Sequence, residues 1–90
     1  MPTIFMRVKV GDFDRFNAVI DEHEEFRQSY GITTCNVFRE SGDGGAVTIQ
    51  LQATDSARAQ EFLGSEQLQK TMMESTVQGP PDVWFAEQTA

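Results

Sequence analysis

The chain has one cysteine, one histidine and one tryptophan in 90 residues, and each scarcity excludes something. A lone Cys35 cannot close an internal disulfide, and with His23 as the sole histidine the sequence cannot assemble a structural zinc site. Basic residues are few as well: seven Lys and Arg stand against fourteen Asp and Glu, for a net charge of −7. Binding to nucleic acid rests on basic side chains that neutralise phosphates. A chain that repels phosphate overall, with its cations scattered, points away from nucleic acid and from anionic membrane. No apolar run approaches the roughly 20 residues needed to cross a bilayer. Residues 1–10 alternate and carry charge, unlike the apolar run of a secretory signal. The cytoplasm is the expected compartment. The glycines of Gly42-Asp43-Gly44-Gly45 come without a lysine, so hairpin geometry accounts for them and a phosphate loop does not. No cofactor motif occurs, so any chemistry is expected to draw on the substrate's own reactivity.

What the chain does have is enough apolar residue, 39% with 10% aromatic, for one globular domain. At this length only about 60–65% of the unfolded surface is buried, so the core is thin and association with a second copy would add to it. Thr3 to Val10 alternates, with Ile4, Met6, Val8 and Val10 on one face and Phe5, Arg7 and Lys9 on the other, which predicts a half-buried strand. Gly11-Asp12 ends it, and Asp12 is a suitable helix cap. From Phe13 to Tyr30 the period changes: Phe16, Val19, Ile20, His23, Phe26, Arg27 and Tyr30 fall on one helical face, with Gly31 placed to stop the helix.

Ile32 to Glu40 is rich in β-branched and aromatic residues. Ser41 to Gly45 reads as a turn, and Val47 to Ala53 alternates again, which together predict an antiparallel hairpin. Asp55 or Ser56 opens a helix through Leu63; Gly64-Ser65 breaks its phase, and a second stretch runs to Glu74. Gly79-Pro80-Pro81 forbids helix and leads into a short last strand from Asp82 to Glu87. The order β-α-β-β-α-β is the split βαβ arrangement of an α+β, ferredoxin-like domain spanning residues 1–90, with a four-stranded antiparallel sheet.

Helices cover one sheet face in such a domain. The other would carry Phe5, Arg7 and Lys9 from the first strand and Thr48, Gln50 and Gln52 from the third. The last strand adds either Trp84 and Ala86 or Val83 and Phe85, and parity alone does not choose. This face is too polar for a sealed core and has more rings than a solvated face needs. The expectation is contact between two copies of the chain through their sheets, against the alternative of a plain solvated face.

The element order, the segment F-N-A-V-I-D-E-H-E-E-F-R at 16–27 and the ending T-V-Q-G-P-P-D-V-W-F-A at 76–86 resemble the dimeric α+β barrel superfamily. That superfamily includes antibiotic-biosynthesis-monooxygenase-like and stress-responsive barrel proteins, and the resemblance covers nearly the whole chain. It implies a homodimer of two ferredoxin-like sheets with a ligand cavity in each protomer. It also implies binding of a small organic molecule, with cofactor-independent monooxygenase, cyclase or isomerase activity, or else a ligand-binding or stress-associated module without turnover. Haem-degrading members use an Asn in the first strand and a Trp and a His near the second helical region. Here Thr3 to Val10 has no Asn, and 55–75 has neither Trp nor His. The quinone-forming members rely on a Trp and polar partners in the later half, whereas Trp84 stands in the last strand.

His23 is the foremost candidate for chemistry, because it lies on the apolar stripe of its helix and not on the acidic side. It suits a general base or a ligand-orienting group; a half-buried histidine bonded to backbone is the alternative. A metal there is disfavoured, since Val19, Ile20, Phe26 and Arg27 occupy the neighbouring helical positions. Arg7 could anchor a carboxylate or enolate, or pair with an acidic residue across the dimer. Gln50 and Trp84 could line the same cavity as Arg7, orienting polar groups and giving flat apolar contact; Trp84 equally suits a core or dimer anchor. Cys35 lacks a basic sequence neighbour to favour its thiolate and reads as a packing residue.

Overall fold

The computed structural model describes residues 2–40, 42, 45–87 and 89. Its elements are β1 (Thr3–Val10), α1 (Phe13–Glu22), α2 (Glu24–Ser29), β2 (Ile32–Arg39), β3 (Ala46–Ala53), α3 (Ser56–Leu63), α4 (Glu66–Glu74) and β4 (Val77–Ala86). The ferredoxin-like order is present, with each of its two helices split in two. One antiparallel sheet runs β2-β3-β1-β4. Of the hairpin turn, Ser41, Asp43 and Gly44 lie outside the described residues.

Local signals act where the sequence places them. Asp12 Oδ1 accepts from the Arg15 amide at 3.1 Å and Asp55 Oδ1 from the Arg58 amide at 2.7 Å, each filling a free donor of the first helical turn. Ser65 Oγ accepts from the Leu68 amide and restarts the helix after Gly64. Gly31 takes φ +75, and a Cβ there would stand 2.5 Å from Thr54 Oγ1, so both conformation and space require glycine.

The core lies between the sheet and the helices. Ile4, Met6, Val8 and Val10 of β1 and Val47, Ile49, Leu51 and Ala53 of β3 meet Phe16, Ala59, Phe62 and Leu68. Full burial of such a side chain is worth about 1.5–3 kcal/mol relative to leaving it in water, and that supplies the main drive for this layer. Phe26, Tyr30 and Phe62 add a ring cluster with centroids 5.3–5.9 Å apart.

Two boundaries differ from expectation. The helix predicted over 13–30 breaks at His23 (φ −107, ψ 20). In an unbroken helix the His23 amide would bond Val19 O. It bonds Ile20 O instead, at 3.2 Å, while the imidazole Nδ1 takes Val19 O at 2.8 Å. Ile20 O also accepts from Arg27 Nη1 at 2.6 Å, so two side chains hold the break.

The last strand is longer than Asp82 to Glu87: it starts at Val77 and passes through Pro80-Pro81. Prolines fit because β4 is an edge strand and because they fall in a bulge, where β1 advances from Arg7 to Lys9 while β4 runs from Asp82 back to Gln78. The register also decides the parity that sequence left open. Trp84 pairs with Phe5 on the uncovered face, and Val83 and Phe85 take the helix side.

Candidate functional site

A cavity of about 40 Å³ lies between the sheet and the helices. A bound water needs roughly 10–15 Å³ of such space and an apolar cavity that takes benzene measures about 150 Å³, so this cavity as it stands matches a few waters. Met6 and Ile49 supply its sheet wall, and Phe62 and Met72 its helical wall. The polar groups in the lining are few: His23, Arg27, Cys35, Thr71 and Ser75.

Their hydrogen bonds determine what each can offer. Val19 O can only accept, so Nδ1 of neutral His23 carries the proton and Nε2 keeps its lone pair. Thr71 Oγ1 donates to Gln67 O at 2.7 Å and Ser75 Oγ to Met72 O at 3.0 Å, so both hydroxyls retain only acceptor capacity toward the cavity. Arg27 is half-buried, and one of its five N–H groups is committed to Ile20 O. Cys35 faces the helices from β2. Burial pushes its thiol above the ordinary range, the Arg27 guanidinium pulls it back, and Asp21 adds to the rise. Cys35 thus has a basic neighbour after all, brought across from α2.

Arg27 and Cys35 also border a second, polar recess of about 320 Å³ that opens between α1, α2 and β2, with Asp21 and Glu24 on its rim. The pair therefore forms the partition between the inner cavity and the outer recess.

Of the four site residues expected from sequence, His23, Arg7, Gln50 and Trp84, only His23 lines the inner cavity. Arg7, Gln50 and Trp84 stand together on the other side of the sheet. Arg7 Nε and Nη2 donate to the two carboxylate oxygens of Glu40, both at 2.9 Å, so its carboxylate partner belongs to its own chain. Gln50 Oε1 accepts from Asn36 Nδ2 at 3.3 Å and edges a shallow recess of about 200 Å³ with Phe5 and Thr3. Trp84 stacks on Phe5 with centroids 5.7 Å apart and stays 45% exposed, while Phe38 on the same face is 54% exposed. Residues 16–27 already gave a signal for Arg27, a cation on the apolar stripe of its helix. Thr71 and Ser75 gave none, because a polar residue on a short helix is ordinarily solvated.

No protein-family model matches the sequence, and no curated protein matches it by sequence. Solved structures do match by shape. A candidate antibiotic biosynthesis monooxygenase from Bordetella bronchiseptica superposes over 99% of this chain and 97% of its own, with a TM-score of 0.86 and 14% identity. A similarly described protein from Caulobacter crescentus covers 99% of this chain and 90% of its own, with a TM-score of 0.76 and 12% identity. SnoaB, a cofactor-independent oxygenase from Streptomyces nogalater, covers 98% and 94%, with a TM-score of 0.74 and 17% identity. At these identities the likeness is one of fold: this chain has the ferredoxin-like α+β fold of the antibiotic-biosynthesis-monooxygenase-like proteins.

Proposed function

We propose that this chain pairs with a second copy through its uncovered sheet face and binds a small organic molecule in the inner cavity. There His23 acts as a general base in a cofactor-independent reaction. The observation that carries the proposal is the placement of His23 in the cavity wall with Nδ1 donating to Val19 O, which leaves Nε2 aprotic. Monooxygenase, cyclase and isomerase steps on a small organic substrate share their opening move, removal of an acidic proton to leave an enolate or phenolate. A fixed imidazole beside an apolar cavity suits that move, because the surrounding side chains exclude water from the anion formed. The fold shared with a cofactor-independent oxygenase supports the same direction.

Pairing through the sheet is supported by the side chains there. Arg7 with Glu40, Asn36 with Gln50, and Thr34 with Gln52 already satisfy one another, so covering them leaves few polar groups without partners. Trp84, Phe5 and Phe38 supply apolar area. A ligand touching Arg7, Gln50 and Trp84 would sit between two sheets, apart from the inner cavity.

The test is exchange of the C–H protons of a small carbon acid, acetone, in D2O, followed by proton NMR. Wild type should accelerate exchange, and His23→Gln should abolish the acceleration while still binding the ketone. Binding without acceleration by wild type would defeat the catalytic reading and leave a ligand-binding module. Equal acceleration by His23→Gln would remove His23 from the chemistry.

A further inference from the structure

The inner cavity of about 40 Å³ is too small for a ring, but one of its walls is shared with a larger space. An open groove of about 300 Å³ runs along that wall, between α4 and the edge strand β4. Met6, Leu68 and Met72 line both spaces, so these three side chains stand between them. The groove exists because the helix layer stops short of the sheet edge: Val83 pairs with Met6 and turns to the helix side, yet stays 39% exposed. Leu63 and Pro81 complete its apolar lining, Gln69 is its polar side chain, and among the described residues no ionisable group lines it. The three wall side chains differ in freedom. Met6 belongs to β1, which is paired on both sides, and is 3% exposed. Leu68 is buried in the first turn of α4, where its amide is held by Ser65 Oγ. Met72 lies one turn further along the same face of α4 and is only half-buried. Its unbranched thioether chain has three rotatable bonds, so it can leave the wall without movement of the backbone.

We infer that Met72 is the gate between the groove and the inner cavity, and that an uncharged, mainly apolar organic molecule binds across the two once the thioether has turned aside. This rests on the reading of the inner cavity as part of the ligand site and adds to it the route of entry and the size and charge of the ligand. Size follows from joining the two spaces. An apolar cavity accepts benzene at about 150 Å³, which the inner cavity alone does not reach and the joined space exceeds. Charge follows from the lining, because an ion held among Met, Leu, Pro and Val side chains loses its hydration without gaining a partner. A molecule lying across the Met72 wall brings its inner end into the cavity that His23 lines, while its outer end stays near Gln69.

The experiment titrates toluene, and separately benzoate, into protein with labelled Ile, Val and Met methyl groups and follows them by NMR. Ile49 reports the inner cavity, Val83 the groove and Met72 the wall between them, while Met73 is 80% exposed and serves as a control. Toluene should shift Ile49, Val83 and Met72 together and leave Met73 in place, and benzoate should shift none of them. Met72→Ala should raise the rate of toluene exchange about tenfold or more, the factor for removing roughly 1.4 kcal/mol of barrier. If that variant does not fold, Met72→Leu conserves volume with a stiffer side chain and should slow the exchange. An unchanged rate in the variant that folds would overturn the gate. A shift at Ile49 without Val83 would also overturn it, leaving the cavity as a ligand site reached by another route. A shift at Val83 without Ile49 would confine toluene to the groove and overturn the joined site. No shift at either would overturn both the gate and the cavity reading. Shifts at Val83 that follow protein concentration and not toluene would assign the groove to a second copy of the chain, against the inference. Benzoate acting as strongly as toluene at Ile49 would overturn the assignment of an uncharged ligand.

Discussion

Thr76 offers a quantitative test of the junction that shapes the cavity, through its replacement by Val and, separately, by Gly. It is a β-branched residue at φ +66, between α4 and β4, with the cavity-lining Ser75 and Val77 on either side. Its Oγ1 accepts from the Asp12 amide at 2.9 Å and donates to Asp12 O at 3.2 Å, tying the junction to the start of α1. Val keeps the branching and the strain but loses both bonds. Each is worth about 0.5–1.5 kcal/mol and both are near solvent, so the loss should be about 1–2 kcal/mol. Gly loses the same bonds and recovers roughly 1–2 kcal/mol of left-handed strain. It returns about 0.5–1 kcal/mol of that to the freer unfolded chain. The Gly variant should therefore fall between wild type and the Val variant. In a domain of this size each kcal/mol moves Tm by roughly 4–8 °C, so Val should melt some 4–16 °C below wild type. Circular dichroism melts and urea titrations at one matched protein concentration measure this, because self-association would otherwise shift the midpoints. A Val variant as stable as wild type, or more stable than the Gly variant, would refute the account of Thr76 as a strained residue held by its hydroxyl.

Trp84→Glu combined with Phe38→Asp should convert a dimer near twice 10.1 kDa into monomers by light scattering, without disturbing the inner cavity; a wild type that runs as a monomer would end the pairing proposal. Alkylation of Cys35 by iodoacetamide should be slower than that of a free thiol at neutral pH and should rise only at higher pH, because burial disfavours the thiolate. Arg27→Gln should slow it further, since it removes the charge that lowers the thiol pKa; an increase would contradict that geometry. Asp55→Ala should cost about 1 kcal/mol through loss of the bond from the Arg58 amide, read as a lower urea midpoint with an unchanged slope.

Local sequence was sufficient for the element order, the cap at Asp12, the helix start at Asp55 or Ser56, the interruption at Gly64-Ser65 and the helix stop at Gly31, because these depend on side chains within a few residues of one another; that Asp55 and Ser65 are the caps came from the structure. It also placed His23 and Arg27 on the apolar stripe of one helix. Three things required the tertiary structure. The break at His23 arises from competition for Val19 O and Ile20 O by an imidazole and a guanidinium, which hydrophobic pattern does not register. The path of β4 through Pro80-Pro81, and with it the face that Trp84 occupies, was set by pairing with β1 across a bulge. The separation of His23 from Arg7, Gln50 and Trp84 follows from the sheet itself, whose alternate residues point to opposite sides. The inner site thus draws on Arg27, Cys35, Thr71 and Ser75, residues far apart in the chain that only the packing of the helices on the sheet brings around one cavity.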